Sequence, residues 1–510
     1  MTTRRQVFRR TASVGPRLLS YVGLPLLLAA LTNSAAAESP SQSSPFGTTT
    51  DLRVTETSWF DEDSVLADKA AAQTEEMPLA DRVAALEKYI SDQEAAAEEP
   101  VPAVQDSCKQ IEIITKPFFT PGGRLYFDGV TYDDDDATAA FFGTDRNNEF
   151  GIRTFRLSGK GNIYENLEYS IEVELRGTDI SYKDIYMQQT ALPVIGNFRA
   201  GHFKEPIGLE EFGSDKFGTF MEKTLATSTF CPSRNFGVMM YNRLDACDDA
   251  TWFAGLFRSD SPDVPVSTGL ERDDRNDWSF STRLAWLPYY DEPSNGRYLV
   301  HVGGSYSYRN SFDQFGNQNT AAVNQNGLVE FSPKSWVGTQ GPIGVGAEGN
   351  SDEWNVLASE FLVIWGSVSF QAEYFHNVMT SGEEYNGAYA FVSYFLTGEN
   401  RAYKKDTKVT DRTIPFEPAF WIDTCKGMCC GRGAWELATG YSYVDLEDGH
   451  DITATRQRAF VDAYIVGLNW YHNPWSRIQI NYEHEMTDFV AGATPDSAAD
   501  IFGVRWAIDW

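Results

Sequence analysis

Beyond residue 120, apolar and polar residues alternate with a period of two in a series of short runs. Tyr169, Ile171, Val173 and Leu175 alternate with Ser170, Glu172 and Glu174. Trp278, Phe280, Thr282, Leu284 and Trp286 alternate with Ser279, Ser281, Arg283 and Ala285. Successive side chains on a strand point to opposite faces, so each run predicts a strand with one oily face and one wet face. Sixteen strands are predicted, at 124–131, 150–160, 167–176, 181–189, 197–203, 236–243, 250–257, 277–287, 297–309, 353–365, 367–378, 385–396, 433–445, 460–470, 475–486 and 500–510. In the last of them Phe502, Val504, Trp506, Ile508 and Trp510 share one face. Chain ends in water usually fray and are polar, so an apolar face carried unbroken to a final aromatic asks for lipid. An edge strand of a soluble β-sandwich is the alternative for this run taken alone. Polar residues opposite aromatic ones in the other runs imply a wet lumen.

Short turns such as Trp365-Gly366-Ser367 and His472-Asn473-Pro474 alternate with longer loops at 131–149, 204–235, 258–276, 310–352 and 446–459. Short turns on one rim and long loops on the other are the pattern of outer-membrane barrels. The predicted fold is therefore all-β, a 16-stranded antiparallel transmembrane barrel over 120–510. Segment 397–432 resists this scheme, because counting strands back from Trp510 puts a long connection on the short-turn, periplasmic rim. Either the count is off by a strand or the insertion is real. The 204–235 connection is too long for a hairpin turn and carries Phe212, Phe217, Phe220, Met221, Leu225 and Phe230. Folding into the barrel mouth buries them, and brings Lys204, Lys216, Lys223 and Arg234 inward beside Glu205, Glu210, Glu211 and Glu222.

Upstream, Arg4, Arg5, Arg9, Arg10 and Arg17 precede an apolar run from Leu18 to Leu31, and Ala35-Ala36-Ala37 offers a cleavage site, so 1–37 is read as an export signal peptide. Residues 38–119 form a periplasmic tether, rich in Ala, Glu and Ser up to about 106. Within it Leu79, Val83, Leu86 and Ile90 make a coiled-coil seam over 77–95. So short a seam is marginal alone; it is either supported by further chains or a docking surface, or is a transient helix in a linker.

Composition fits this picture, since 14% of residues are aromatic while mean hydropathy stays on the polar side. The net charge is −30, and loss of the five leader arginines deepens it to about −35. Such a chain is a poor partner for nucleic acid. The acidic runs Asp133-Asp134-Asp135-Asp136 and Glu271-Arg272-Asp273-Asp274 are placed in loops, as solvated charge or, more sharply, a divalent-cation site. Six cysteines fall outside the strands. Cys108, Cys247, Cys425, Cys429 and Cys430 share the periplasmic rim by strand parity, where disulfides among them are feasible in an oxidising compartment. Cys231 and Cys247 flank one strand and are too far apart to pair unless the loop reaches down through the pore. Cys425-x-x-x-Cys429-Cys430 also has a soft-metal look but no nearby His. The six His are scattered without a catalytic motif, so an enzyme is not expected, and neither a metal nor a cofactor is assigned.

Four segments then carry a family resemblance. Gly201-His202-Phe203-Lys204-Glu205-Pro206-Ile207-Gly208-Leu209-Glu210-Glu211, with Thr219-Phe220-Met221-Glu222-Lys223 and Arg234-Asn235-Phe236-Gly237-Val238 after it, resembles the third-loop region of the phosphate-selective porin O and P family. Tyr394 to Lys404, Gly433 to Ala438 and Leu468 to Pro474 resemble further segments in the same order. The resemblance implies a trimeric channel narrowed by its third loop, assembled by the barrel assembly machinery into outer-membrane lipid and passing small anions, including phosphate or polyphosphate. The candidate anion contacts are Lys204, Lys216, Lys223, Arg234, Arg156 and Arg283; for the lumen-facing arginines of the strands, Arg156 and Arg283 among them, the alternative is pairing with a neighbouring carboxylate inside the barrel. Glu172, Glu174, Glu373 and Asp509 share the inferred lumen, which leaves open a non-specific or cation-preferring porin. An envelope-anchoring protein would account for 77–95 but not for a wet barrel.

Overall fold

The computed structural model describes residues 117–510 except 137–147, 177–178, 245–247, 259–277, 381, 425–426, 449, 452–457, 491–495 and most of 311–352. The leader, the tether and the 77–95 seam lie outside the described residues.

Sixteen antiparallel strands close into one barrel. They are β1 Thr120–Asp134, β2 Glu149–Tyr164, β3 Leu167–Arg176, β4 Asp179–Leu192, β5 Gly196–Lys204, β6 Arg234–Arg243, β7 Ala250–Phe257, β8 Trp278–Tyr290, β9 Tyr298–Asn310, β10 Glu353–Trp365, β11 Val368–Met379, β12 Glu384–Phe395, β13 Ala434–Asp445, β14 Ala459–Asn473, β15 Ser476–Phe489 and β16 Ser497–Asp509. Each strand pairs with its sequence neighbour, and β16 closes on β1 in a register running from Arg124 opposite Asp509 to Asp134 opposite Ala499. The ladder continues past the last strand, where Trp510 and Gly123 exchange backbone hydrogen bonds of 3.1 Å.

The period-two pattern decides which face is which. Ile171, Leu284, Trp286, Trp506 and Trp510 are exposed on the outside, where lipid solvates them, while Glu172, Arg283 and Arg505 are buried inside. Of the closing-strand residues, Phe502 and Val504 also face outward and Ile508 is half-buried. Asp133 and Asp134 do not start a loop. Both belong to β1, because its ladder to β16 runs on through Asp133–Asp500 and Asp134–Ala499 whatever the side chains.

Strand parity places the chain ends of the barrel and the tight turns, such as 165–166 and 366–367, on one rim, the periplasmic one by the usual asymmetry. Segment 397–432 leaves β12 and enters β13 on that same rim, so the insertion is real.

The inner wall is lopsided. On β10–β14 it is largely apolar, with Trp354, Val356, Phe375, Tyr389, Phe391, Val444 and Val461 buried in one cluster. On β1–β4 and β16 it is charged, with Arg124, Asp128, Arg156, Glu172, Glu174, Lys183 and Arg505 buried. Anything apolar that enters the lumen is thus drawn to one side, and open space is left beside the charges.

Candidate functional site

Residues 205–233 form the connection that enters. They contain two short helices, α1 Leu209–Phe212 and α2 Leu225–Phe230, and a 3-10 turn at Asp215–Phe217. Phe220, Met221, Leu225 and Phe230 are buried, as their apolarity requires. Phe220 meets Phe391 edge-on at 5.2 Å, and α2 lies against β11, β12 and β13. The wall is recessed for them: a Cβ on Gly387 would stand 2.8 Å from the Phe230 ring, and one on Gly467 3.1 Å from Phe220. Polar staples fix the backbone. Glu373 accepts the N–H groups of Leu209 (2.6 Å) and Glu210 (2.9 Å), Asn481 accepts that of Met221 (2.8 Å), and Asn469 donates to the Thr219 carbonyl (2.8 Å).

The periplasmic insertion rises to meet this loop. Tyr403 packs with Val409 and with Leu209 of α1 over Leu287, Leu299, Leu362 and Ile364. The ring nitrogen of His301 is 2.8 Å from the Tyr403 hydroxyl. Arg412 pairs with Asp509 of the closing strand and lies 4.2 Å over the Trp475 ring and 5.3 Å from that of Phe217.

A cavity of about 260 Å³ remains beside the charged wall. Its lining carries Arg124, Arg153, Arg156, Lys183, Lys223, Arg234, Arg401 and Arg505 against Glu210, Glu211, Asp215 and Glu222. Most of these arginines are held by carboxylates. Arg124 donates to Glu172 (3.1 Å), Arg156 to Glu172 (3.1 Å) and Glu174 (3.3 Å), Arg234 to Asp184 (2.9 Å), and Arg505 to Asp128 and Glu222 (both 2.7 Å). Such pairs fix the guanidinium forks; their carboxylates Asp128, Glu172, Glu174 and Asp184 offset the basic surplus in charge but stand outside the lining, so basic groups are what the open space mainly meets. Burial works against ionisation of Asp215, yet Lys204, Lys223, Arg156 and Arg124 outweigh it and hold that carboxyl well below its ordinary range.

Of the six candidate anion contacts, Lys223, Arg234 and Arg156 line this cavity. Lys204 stands behind it, donating to the carbonyls of Glu211 (2.7 Å) and Gly213 (2.6 Å) and so shaping the loop. Lys216 lies lower, with Arg412, Tyr471, Trp475 and Asp509 around a smaller cleft. Arg283 belongs elsewhere. Its side chain is sealed against Glu360 (2.7 Å) and donates to the carbonyls of Thr407 and Lys408, so it anchors the insertion and has no face left for an anion. The strand pattern did not single out Arg124, Lys183 and Arg401. The first two sit on inward-facing positions of β1 and β4, and Arg401 within the Tyr394–Lys404 segment that already carried a resemblance. Cys231 is buried within the loop's apolar cluster. Cys108, Cys247 and Cys425 lie outside the described residues, and only the backbones of Cys429 and Cys430 are described, opposite Ile422 and Trp421 in a small hairpin.

A closed 16-stranded barrel with an oily exterior, a polar interior and a loop folded across it is an outer-membrane porin. The family model for phosphate-selective porin O and P matches residues 124–510, and the chain belongs to that family. Porin O of Pseudomonas aeruginosa is 25% identical over 418 residues, covering 76% of this chain and 87% of that protein. An uncharacterized protein of Caulobacter vibrioides is 25% identical over 378 residues, 70% of this chain and 68% of that one. Among solved structures, Pseudomonas putida OprB covers 78% of this chain and 94% of its own at 11% identity, with a TM-score of 0.46.

Proposed function

We propose that the protein is a passive, water-filled channel whose constriction, built by 205–233 and the periplasmic insertion, favours small anions, phosphate among them. The observation that carries this reading is the lining of the cavity. Eight basic residues line it beside four acidic ones, with Asp128, Glu172, Glu174 and Asp184 pairing from behind the lining, in a chain whose net charge is −30. Fixed charges in a narrow, partly desolvated passage act far more strongly than charges spread over outer loops, so the lining and not the whole-chain charge sets selectivity. Phosphate is supported by the family. A homotrimer, each chain with its own pore, is part of the same proposal; barrel-wall contacts hold it, so a chain lacking 38–106 should still cross-link as trimers in native membrane.

Single-channel recording in asymmetric salt, with phosphate titrated in, tests the reading. The reversal potential should lie on the anion side, and phosphate should reduce the chloride current in a saturable way. A cation-selective wild-type channel would overturn the anion reading and leave a diffusion porin.

A further inference from the structure

The periplasmic insertion straddles the barrel rim. One limb lies in the lumen, where Tyr403 packs with Leu209 of α1 and Arg412 pairs with Asp509. The other climbs back onto the outer wall. Phe420 lies 5.3 Å from the Trp470 ring and 5.2 Å from that of His472, and the Ala419 N–H donates to the His472 carbonyl (2.6 Å). Trp470 and His472 share the outward face of β14 with the exposed Tyr464 and Val466, whereas Tyr471 between them turns inward and donates to Glu436. We propose that this outer limb is an interfacial lipid anchor, which holds the insertion in place by gripping glycerophospholipid in the periplasmic leaflet of the outer membrane.

Three features support it. The surface is apolar and continuous with the lipid-facing wall. Phe416 and Phe420 are 66% and 56% exposed, and Phe420 extends a stack in which Trp470 lies 5.0 Å from Trp435. Exposed rings are costly in water, and lipid already solvates the wall on which this stack lies. The polar groups are ordered as at a membrane interface. The indole N–H groups of Trp435 and Trp470 both donate to the Arg432 carbonyl (3.2 and 2.9 Å), and the exposed Arg432 side chain supplies a cation for a lipid phosphate. That cation beside the rings favours lipid over a second copy of the chain. Strands Phe420–Thr424 and Gly427–Gly431 also pair with each other, which satisfies backbone groups that an irregular loop would leave bare beside lipid. Last, Phe420 has a left-handed backbone at φ 69°, which a bulky residue seldom adopts, and the ring is kept on the wall in spite of it.

The test uses the full-length protein in vesicles of phosphatidylethanolamine and phosphatidylglycerol. The photo-crosslinker benzoylphenylalanine replaces Phe420 and, separately, Phe416, so that one site can be read if the other variant does not assemble. Leu437 on the lipid-facing wall and Glu165 in a periplasmic turn are the reference sites. The test sites should give lipid-mass adducts about tenfold or more above Glu165 and close to the yield at Leu437. Adducts at the Glu165 level overturn the anchor. Adducts to a second copy of the chain in place of lipid overturn it in favour of a protein contact. Phe420→Gly, which accepts the same φ, removes the ring without straining the turn. Trypsin should then cut after Arg432 about tenfold or more faster than in wild type, with the heat-modifiable barrel kept; an unchanged rate overturns the grip.

Discussion

Lys216 and Lys223 stand in one loop and differ in electrostatics. Lys223 is half-buried, but Glu211 and Asp215 more than offset the desolvation and raise its pKa, so it is charged throughout the working range. Burial, and next the repulsion of Arg124, push Lys216 down to about 8, against the pull of Asp509 and Glu172. Its positive charge is therefore present below pH 8 and lost as pH rises through that value. Anion preference should fall between pH 7 and 9 in the wild type, and Lys216→Met should abolish that step; reversal potentials across the range read it directly. The stability sign is opposite: between pH 8 and 10.5 the unfolded chain still binds the proton, so the fold gains as pH rises there. Arg283 makes a different prediction. Removing one partner of a sealed pair strands the other charge, at a cost of about 3–5 kcal/mol. Arg283→Ala should lower the temperature at which the barrel loses its folded mobility on gels, with little change in selectivity.

The elements that narrow the pore are held by packing, and packing can be undone from the wall. A side chain at Gly387 meets the Phe230 ring and, equally close at 2.8 Å, the Tyr443 carbonyl of β13, so Gly387→Leu should push α2 off β12 and raise single-channel conductance in the molecules that keep a heat-modifiable barrel. A conductance unchanged from wild type would show that the loop does not narrow the path. Arg412 ties the insertion to the closing strand and to Phe217 of the loop. Arg412→Ala should make 397–432 more sensitive to protease added from the periplasmic side, and should loosen the loop above it. Neither anchor was visible as a pattern. Gly387 reads as an ordinary small residue in a strand, and Arg412 lies in a segment with no alternation.

At the scale of the molecule, β16 is the seam. It pairs with β15 on one side and β1 on the other, so deleting residues 501–510 strips most of two ladders and opens two edges at once. No heat-modifiable barrel should assemble in the membrane. The lopsided interior is a second whole-molecule property. The loop's apolar residues settle on the apolar half, and the open space is left beside the charged half. Asp133 and Asp134, at the end of β1 away from the cavity, and Asp135 and Asp136 just past it, should matter little to selectivity at physiological salt, where screening acts within about 8–10 Å.

Period-two alternation fixed the architecture because lipid and water each demand one face of every strand. Residues 167–176, 250–257 and 353–365 fold as strands with the bounds their pattern predicts. The apolar content of 204–235 likewise required burial somewhere. Alternation says which residues point inward, but not which of them meet. Arg156 and Arg283 look alike in sequence, both inward on a strand, and only closure of the barrel put one beside a cavity and the other against Glu360 under the insertion. The place of Asp215 among four cations is likewise a property of the tertiary structure. Those cations come from three strands and a loop brought together across the lumen, and no local pattern encodes contacts between segments so far apart in the chain.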